Sequence, residues 1–423
     1  MYQTKVAIVS QPIDGVLPPY QNSIGIWVYE MSRKLAEDFD ITVYMKGEGR
    51  GLQDHQEEGV CFRQVTRGPD HLIQKFKARL PHKQNLRKPT YAASSHYAAY
   101  AFLIAQDLRR RGCELVHLLN FSQFVPIIRA LNPKIKIVLN MRCEWLSQLD
   151  TEMIARRIDK TDLIVGCSSH VTNEVRKRFP HLDQKTHTVF NAIDTSRFTA
   201  AVSHDIKTTV GSKQLLFVGR VSPEKGVHVL VEAMPKVVAA VPDIHLDIVG
   251  GHMLLPYEFL VGISNDETVS SLVEFYRDGA KDFYISYLKE RIRQLGLQEH
   301  VTLTGLVPYA DVLDYYRAAS LLVNPSFSES FGRSPVEAMA SEVPVVGTKV
   351  GGMLDTVVDG EIGRLVTPGD ADALADAMLD LLGNEELCRK MGRAGRERAA
   401  LLFSWESVAR QWRDVYQREL KIA

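Results

Sequence analysis

Two cations stand close together in Gly219-Arg220-Val221-Ser222-Pro223-Glu224-Lys225-Gly226, directly after the apolar run Leu215-Leu216-Phe217-Val218. Ser222 and Pro223 read as the N-cap and first position of a helix that continues through the apolar-periodic Val227 to Ala240. That reading puts Lys225 in the first helical turn with Arg220 just ahead of it, where the helix dipole disfavours a cation by a few tenths to about 1 kcal/mol. An anion relieves the conflict. A diphosphate can accept helix N–H groups, a bidentate arginine fork and an ammonium together. Side chains pointing into water explain an isolated G-R-x4-K-G equally well.

A second segment, Leu321-Leu322-Val323-Asn324-Pro325-Ser326-Phe327-Ser328-Glu329-Ser330-Phe331-Gly332-Arg333-Ser334-Pro335-Val336-Glu337, reads as strand end, loop and helix start. From spacing alone Glu337 is best explained as the third position of a capping box opened by Ser334 and Pro335. Glu329 lies in the loop beside Gly332, where neutral polar residues would serve a turn as well. Two carboxylates beside one helix start accept paired hydrogen bonds from vicinal hydroxyls, which suits a ribose diol and a hexose better than a metal.

The elements that must position these groups follow a βα rhythm. Short strand-like runs cover Val6 to Ser10, Ile41 to Met45, Leu115 to Leu119, Ile135 to Asn140, Leu163 to Cys167 and His187 to Phe190, with helix-period segments between them. Thr195 to Lys213 is poor in large apolar residues and reads as a linker. The rhythm restarts at Leu215 and continues through Leu246, Val301, Leu321, Val345 and Arg364. Two doubly wound α/β domains are expected, 1–195 and 196–403, with ligands beyond the carboxyl ends of the strands. A last helix over 404–423 carries Trp405, Val408, Trp412, Tyr416 and Leu420 on one face and is expected to pack back on the first domain as core.

Composition bounds the rest. The 423 residues carry 51 Lys plus Arg against 51 Asp plus Glu, without the overall positive field of a nucleic-acid binder. Cys61, Cys113, Cys143, Cys167 and Cys388 form no CxxC pair, so reduced thiols and a cytoplasmic address are expected. The run Val6 to Val9 after Lys5 is too short for a signal-peptide core, and no stretch is long enough to span a bilayer.

Four ordered motifs carry a family resemblance: Gly219-Arg220-x4-Lys225-Gly226, Glu329-x7-Glu337, Gly351-Gly352 after Val345-Val346, and Asp359-Gly360-x2-Gly363-x-Leu365-Val366. The chain resembles the retaining GT-B glycosyltransferases of family 4, over nearly its whole length and most closely over Leu215 to Leu382. The resemblance implies two Rossmann-like domains facing across a cleft, a nucleotide-sugar donor on the second and an acceptor met mainly by the first. It implies that Arg220 and Lys225 neutralise the donor diphosphate, that Glu329 holds the donor sugar, and that Gly219 belongs to the same donor-binding segment. By the same resemblance main-chain N–H groups from Ser330, Phe331, Gly332 and Arg333 cradle sugar and phosphate, Glu337 binds the ribose, and Val307 meets the base. It also implies retention of anomeric configuration, with leaving-group phosphate taking the acceptor proton and no metal or other cofactor required. The acceptor it implies is a glycan, a lipid-linked sugar or a small-molecule hydroxyl, and the donor is UDP- or GDP-linked.

The first domain departs from the family pattern. Asn22-Ser23, then Ile24-Gly25, stand where Gly-Gly is usual, and Arg142 stands where a histidine is common. Asp14, Gly15, Asn22, Ser23, Gly25 and Arg142 are the candidate acceptor-side residues, Arg142 for an anionic sugar or acceptor. Asp14 or Glu144 would serve as base in an inverting reaction, although Asp14-Gly15 is more often a turn. An insertion over roughly Leu254 to Gly279, with Tyr257, Phe259, Phe275 and Tyr276, reads as a lid, a sugar platform or an oligomer contact, with local packing equally plausible. The basic stretch Arg67 to Lys88 reads as a solvated loop or as a peripheral contact with anionic lipid at the inner face of a membrane.

Rival functions leave marks that can be checked. A nicotinamide oxidoreductase lacks its G-x-G-x-x-G after the first strand, and P-loop kinase chemistry lacks G-x4-G-K-[ST]. Asp370-Ala371-Asp372 reads as a helix start rather than the metal site of a GT-A transferase. A catalytically inactive nucleotide-sugar-binding partner subunit, or a nucleotide-sugar epimerase of the same fold, stays open as an alternative.

Overall fold

Fourteen strands are present among the described residues of the computed structural model, which are 3–19, 21–47, 52–77, 85–198, 213–276 and 282–421. They are β1 (Lys5–Val9), β2 (Asp40–Gly47), β3 (Leu52–Glu57), β4 (Val60–Thr66), β5 (Leu115–Leu119), β6 (Lys136–Met141), β7 (Leu163–Gly166), β8 (Thr186–Thr188), β9 (Gln214–Val218), β10 (His245–Val249), β11 (Val301–Gly305), β12 (Leu321–Asn324), β13 (Val345–Thr348) and β14 (Gly363–Val366). The chain divides into two compact units, Met1–Ala192 with Trp405–Ala423, and Ile193–Ser404.

The first unit holds an eight-stranded sheet in the order β3-β4-β2-β1-β5-β6-β7-β8. Its strands pair in parallel except β3 with β4. Near-continuous apolar strands such as Val6 to Val9 are buried because helices cover both faces. The sequence reading misses both β3 and β4: Leu52-Gln53-Asp54-His55-Gln56-Glu57 is polar, as an exposed edge strand can be, whereas β4 is an inner strand whose buried apolar run, Val60-Cys61-Phe62, is short. The two join through Glu58 and Gly59 at φ 46° and 80°, the positive pair that a two-residue type I′ hairpin turn requires.

The terminal helix Trp405–Asp414, extended by a π-helical turn Val415–Glu419, completes this unit. Its Trp405, Val408, Ala409, Trp412, Tyr416 and Leu420 join the core that contains Trp27, Phe39 and Leu115. Trp412 lies 4.5 Å from the His117 ring centroid and 6.0 Å from that of Trp27. The Tyr416 hydroxyl meets His117 Nδ1 at 2.6 Å.

The second unit holds a six-stranded parallel sheet ordered β11-β10-β9-β12-β13-β14. Strand order reverses between β9 and β12, so the loops leaving their carboxyl ends diverge from one point and leave a crevice there. This topology brings the two motif segments together. The first residues of the expected linker belong to this unit: Phe198 is fully buried, its ring against Tyr309 and Tyr316. The rest of it, 199–212, lies outside the described residues.

The insertion is not a free flap. Its described part forms short turns at Tyr257–Phe259, Val261–Ile263, Glu267–Ser270 and Ser271–Tyr276, and Val261, Val269, Leu272 and Phe275 are buried in the core of the second unit. Apolar side chains in a period too irregular to read as a helix account for this packing. Its end, 277–279, lies outside the described residues. In the basic stretch, Gly68–Lys77 is helical and 78–84 lies outside the described residues. Among the described residues no helix is long and apolar enough to cross a membrane.

Candidate active site

The loop after β9 differs from the helix start expected of it. Pro223–Lys225 forms a 3-10 turn, and the α-helix begins only at Val227, after Gly226 at φ 68°. Ser222 caps nothing; its Oγ donates to Glu224 Oε1 at 2.7 Å. The physical reason is contact with the neighbouring loop. A Cβ on Gly226 would lie 2.0 Å from the Pro325 carbonyl oxygen, so only glycine supplies both the left-handed backbone and the close approach. The Phe327 N–H then donates to the Glu224 carbonyl at 2.9 Å, which zips the loops after β9 and β12 together.

This junction sets Lys225 Nζ 2.7 Å from Glu329 Oε2 and 3.4 Å from the Ser328 carbonyl. Burial raises the Glu329 carboxyl pKa, but the Lys225 ammonium and the main-chain N–H groups of Phe331 and Gly332 outweigh it and hold the group below the ordinary carboxylate value. The main chain of the Glu329 loop is braced from β13. Gly352 N–H donates to the Glu329 carbonyl at 2.8 Å, and a Cβ on Gly352 would lie 2.5 Å from the Ser330 carbonyl oxygen. Asp359 and Gly363 serve the fold: Asp359 Oδ1 accepts the Leu365 N–H at 2.9 Å, and Gly363 lets β14 approach Val345.

The capping box expected at Glu337 does not form. The helix starts earlier, over Arg333–Ala340, with Gly332 at φ 93° as its N-cap, so Ser334 and Pro335 already lie inside the first turn. Glu337 is 3% exposed and accepts instead from Tyr316 hydroxyl at 2.8 Å, Tyr309 hydroxyl at 3.1 Å and Arg333 Nε at 2.8 Å. Tyr309 is itself flanked by two guanidinium groups, Arg197 at 4.5 Å and Arg333 at 4.7 Å from its ring centroid. Val307 is half-buried two residues before it, and Leu306 is 86% exposed. Arg220 completes the cluster, its Nη2 3.0 Å from Glu224 Oε1.

Sequence reasoning missed Glu224, Tyr309 and Tyr316. For Glu224 a signal existed, a carboxylate four residues after one candidate cation and next to the other. For the tyrosines there was none, because hydroxyl partners reached across loops leave no local pattern.

The acceptor-side candidates in the first unit have structural occupations. Asp14 is 1% exposed and accepts from Ser10 Oγ, Gln11 Nε2 and Asn22 Nδ2, while burial raises its pKa. Asn22 caps the helix Ser23–Leu35 by accepting the Gly25 N–H at 2.8 Å. A Cβ on Gly25 would lie 1.6 Å from the Gly15 carbonyl oxygen, so this glycine permits the main-chain contact that seats the Asp14-Gly15 turn. Arg142 stacks 4.0 Å over Trp27 and donates to Asn191 Oδ1 at 2.8 Å. Burial lowers its pKa to about 10. Glu144 Oε1 lies 3.3 Å from His170 Nε2.

Fold and site together define a sugar-transfer class rather than a hydride or phosphate-loop enzyme. The model of Glycosyltransferase Family 4 matches residues 24–197 and that of Glycosyl transferases group 1 matches residues 202–398. The chain belongs to the family 4, group 1 glycosyltransferases, and its fold is GT-B. It is 26% identical to D-inositol 3-phosphate glycosyltransferase 2 of Catenulispora acidiphila, over 99% of this chain and 95% of the relative. Sucrose-phosphate synthase from Thermosynechococcus elongatus superposes with TM-score 0.74 at 20% identity, covering 100% of both chains. Anabaena Alr3699/HepE, solved with UDP and glucose, superposes with TM-score 0.66 at 17% identity, covering 98% of this chain and 100% of that one.

Proposed function

We propose that this glycosyltransferase retains anomeric configuration and moves a hexose from a UDP- or GDP-linked donor to a glycan, lipid-linked or small-molecule hydroxyl, without a metal. The observation that carries the reading is the convergence of Arg220, Lys225 and Glu329 at the β9/β12 switch point. Arg220 and Lys225 are placed to take up charge that develops on the departing diphosphate, the work a divalent cation does in other transferases. Glu329 accepts hydroxyls of the donor sugar. Glu337, held by Tyr309, Tyr316 and Arg333, offers its remaining acceptor capacity to the ribose. Main-chain groups near Val307 and of Ser330 to Arg333 line the same site. In this mechanism the leaving phosphate takes the acceptor proton, so no protein base is needed.

The acceptor lies on the first unit near the carboxyl ends of β1, β5 and β6. The relative named for D-inositol 3-phosphate makes phosphorylated polyols sensible members of an acceptor panel. A peripheral contact with anionic lipid through Arg67 to Lys88 is supported by Leu72 and Ile73, exposed by 70% and 38% on its helix. Arg67 and Lys88 are already engaged, by the Pro12 carbonyl and by Asp150. Liposome co-sedimentation that does not respond to acidic lipid or salt would end that part of the proposal.

The deciding experiment is calorimetry of UDP and GDP with wild type and Arg220→Ala in chelator, followed by transfer assays with the matching sugar nucleotides. Binding of one nucleotide, weakened by the substitution, with transfer at the same anomeric configuration, supports the reading. Binding without transfer across a broad acceptor set supports an inactive partner subunit instead, and an altered sugar without acceptor supports an epimerase.

A further inference from the structure

Glu224 is 1% exposed, and its carboxylate is an unusual object for the start of a helix-bearing loop. One oxygen, Oε1, accepts from both Arg220 Nη2 at 3.0 Å and Ser222 Oγ at 2.7 Å. The other, Oε2, has no hydrogen-bond partner among the described residues. A buried carboxylate with one unpaired oxygen is a liability for folding, since a well-packed apolar side chain would stabilise the turn as well or better. Its presence makes sense if the group it holds matters. The Arg220 side chain is 34% exposed, so one edge of the guanidinium is pinned from below while its remaining N–H groups stay available.

The surroundings of Glu224 point the same way. Its main-chain carbonyl takes the Phe327 N–H at 2.9 Å, so the same residue fixes Arg220 and the approach of the Glu329 loop. The Tyr276 hydroxyl, at the described end of the insertion, is pushed up by burial and next by the Glu224 carboxylate, with Arg220 acting in the opposite sense. The inserted turn Ser271–Tyr276 packs against Pro223–Lys225, the turn that carries Glu224.

We infer that Glu224 is a positioning residue that orients Arg220 toward the donor diphosphate. Resting on the donor-site reading above, this assigns a role in catalysis to a side chain that touches no substrate. Removing the carboxylate has two opposed consequences: Arg220 loses its orientation, and a negative charge beside the diphosphate disappears. A double-mutant cycle separates them, because relief of repulsion operates whether or not Arg220 is present.

The test is calorimetry with UDP and GDP on wild type, Glu224→Gln, Arg220→Ala and the double variant, with uridine and guanosine as phosphate-free probes. For whichever diphosphate binds wild type, Glu224→Gln should cost about fivefold or more affinity with Arg220 present relative to its effect in Arg220→Ala, as expected for a charge-assisted contact of about 1 kcal/mol. The corresponding nucleoside should show no such coupling, which a merely structural role of Glu224 would not spare. Equal factors in the two backgrounds overturn the inference while leaving the donor site intact. If wild type binds neither diphosphate, the donor-site reading fails and this inference with it. Should Glu224→Gln not fold, Glu224→Asp, which keeps the charge but shortens its reach, replaces it in the same cycle with the same expected coupling.

Discussion

Lys225 Nζ and Glu329 Oε2 meet at 2.7 Å across 104 residues of sequence, each side chain being about one-sixth exposed, at 16% and 17%. The ammonium and the carboxylate neutralise each other in the structure. Under the donor-site reading proposed above, donor binding exchanges these partners rather than filling a bare positive pocket.

Glu329→Gln should uncouple binding from transfer. The substitution removes Lys225's internal competitor, so UDP or GDP should bind at least as tightly as to wild type. Transfer should nevertheless fall by about 100-fold, because an interaction made to the reacting sugar is lost. Calorimetry beside initial-rate assays checks this, and a parallel loss of nucleotide affinity would count against it.

Glu337→Ala should affect stability as well as the nucleotide. It strips the partner from Arg333 and from two tyrosine hydroxyls, and should lower unfolding free energy by about 2–3 kcal/mol, toward the low end for a broken buried pair because Arg333 is 23% exposed. Glu337→Gln keeps an acceptor oxygen and should lose less. Urea midpoints for the two variants, measured without nucleotide, decide the matter.

Gly226→Ala should open the junction between the two loops. The new methyl meets the Pro325 carbonyl in a backbone region that alanine disfavours, so a loss of at least about 1–2 kcal/mol is expected. Because the same junction seats Lys225 against Glu329, nucleotide affinity should fall together with the melting temperature. Unchanged affinity in a destabilised variant would show the junction to be dispensable for binding.

Acid should destabilise the second unit through His228. Its ring stacks on Phe327 with centroids 5.5 Å apart, and burial lowers its pKa from 6.5 to about 4. The unfolded chain then binds the extra proton first, so stability falls as pH drops from about 6.5 toward 4, by roughly 3 kcal/mol in all for this group. His117, lowered to about 3 by burial, adds a loss of the same sign in the first unit. Glu329, with its pKa depressed, contributes stability above the ordinary carboxylate value that disappears as pH falls below it. Denaturant midpoints at pH 7, 5.5 and 4 should drop steadily for wild type, and His228→Gln should flatten the slope between pH 6.5 and 4.

Much of the architecture was legible because its signals are local. Buried parallel strands announce themselves as apolar runs, and each run read in the second half corresponds to a strand of the six-stranded sheet. In the β3–β4 hairpin, β3 escaped because an edge strand with a solvated face carries no apolar alternation, and β4 because its apolar run, Val60-Cys61-Phe62, is short. Helix starts at Ser222 and Ser334 were misplaced for a common reason. Cap and proline signals describe an isolated helix, whereas Gly226 and Gly332 in left-handed conformations set the observed boundaries through contacts with neighbouring loops.

The order of motifs along the chain, their residue types and the alternation of strand and helix are properties of the sequence by itself, and they suffice to name the class of transferase. Arg220 with Glu224 and Arg333 with Glu337 are pairs four residues apart in one segment, whereas the partner of Lys225 was decided by tertiary structure alone. Lys225 meets Glu329 because strand order places β9 beside β12, and because a glycine at 226 lets the loops that follow those strands touch. Hydrogen-bond geometry over a few ångströms depends on that long-range closure, and no periodicity along one segment encodes it.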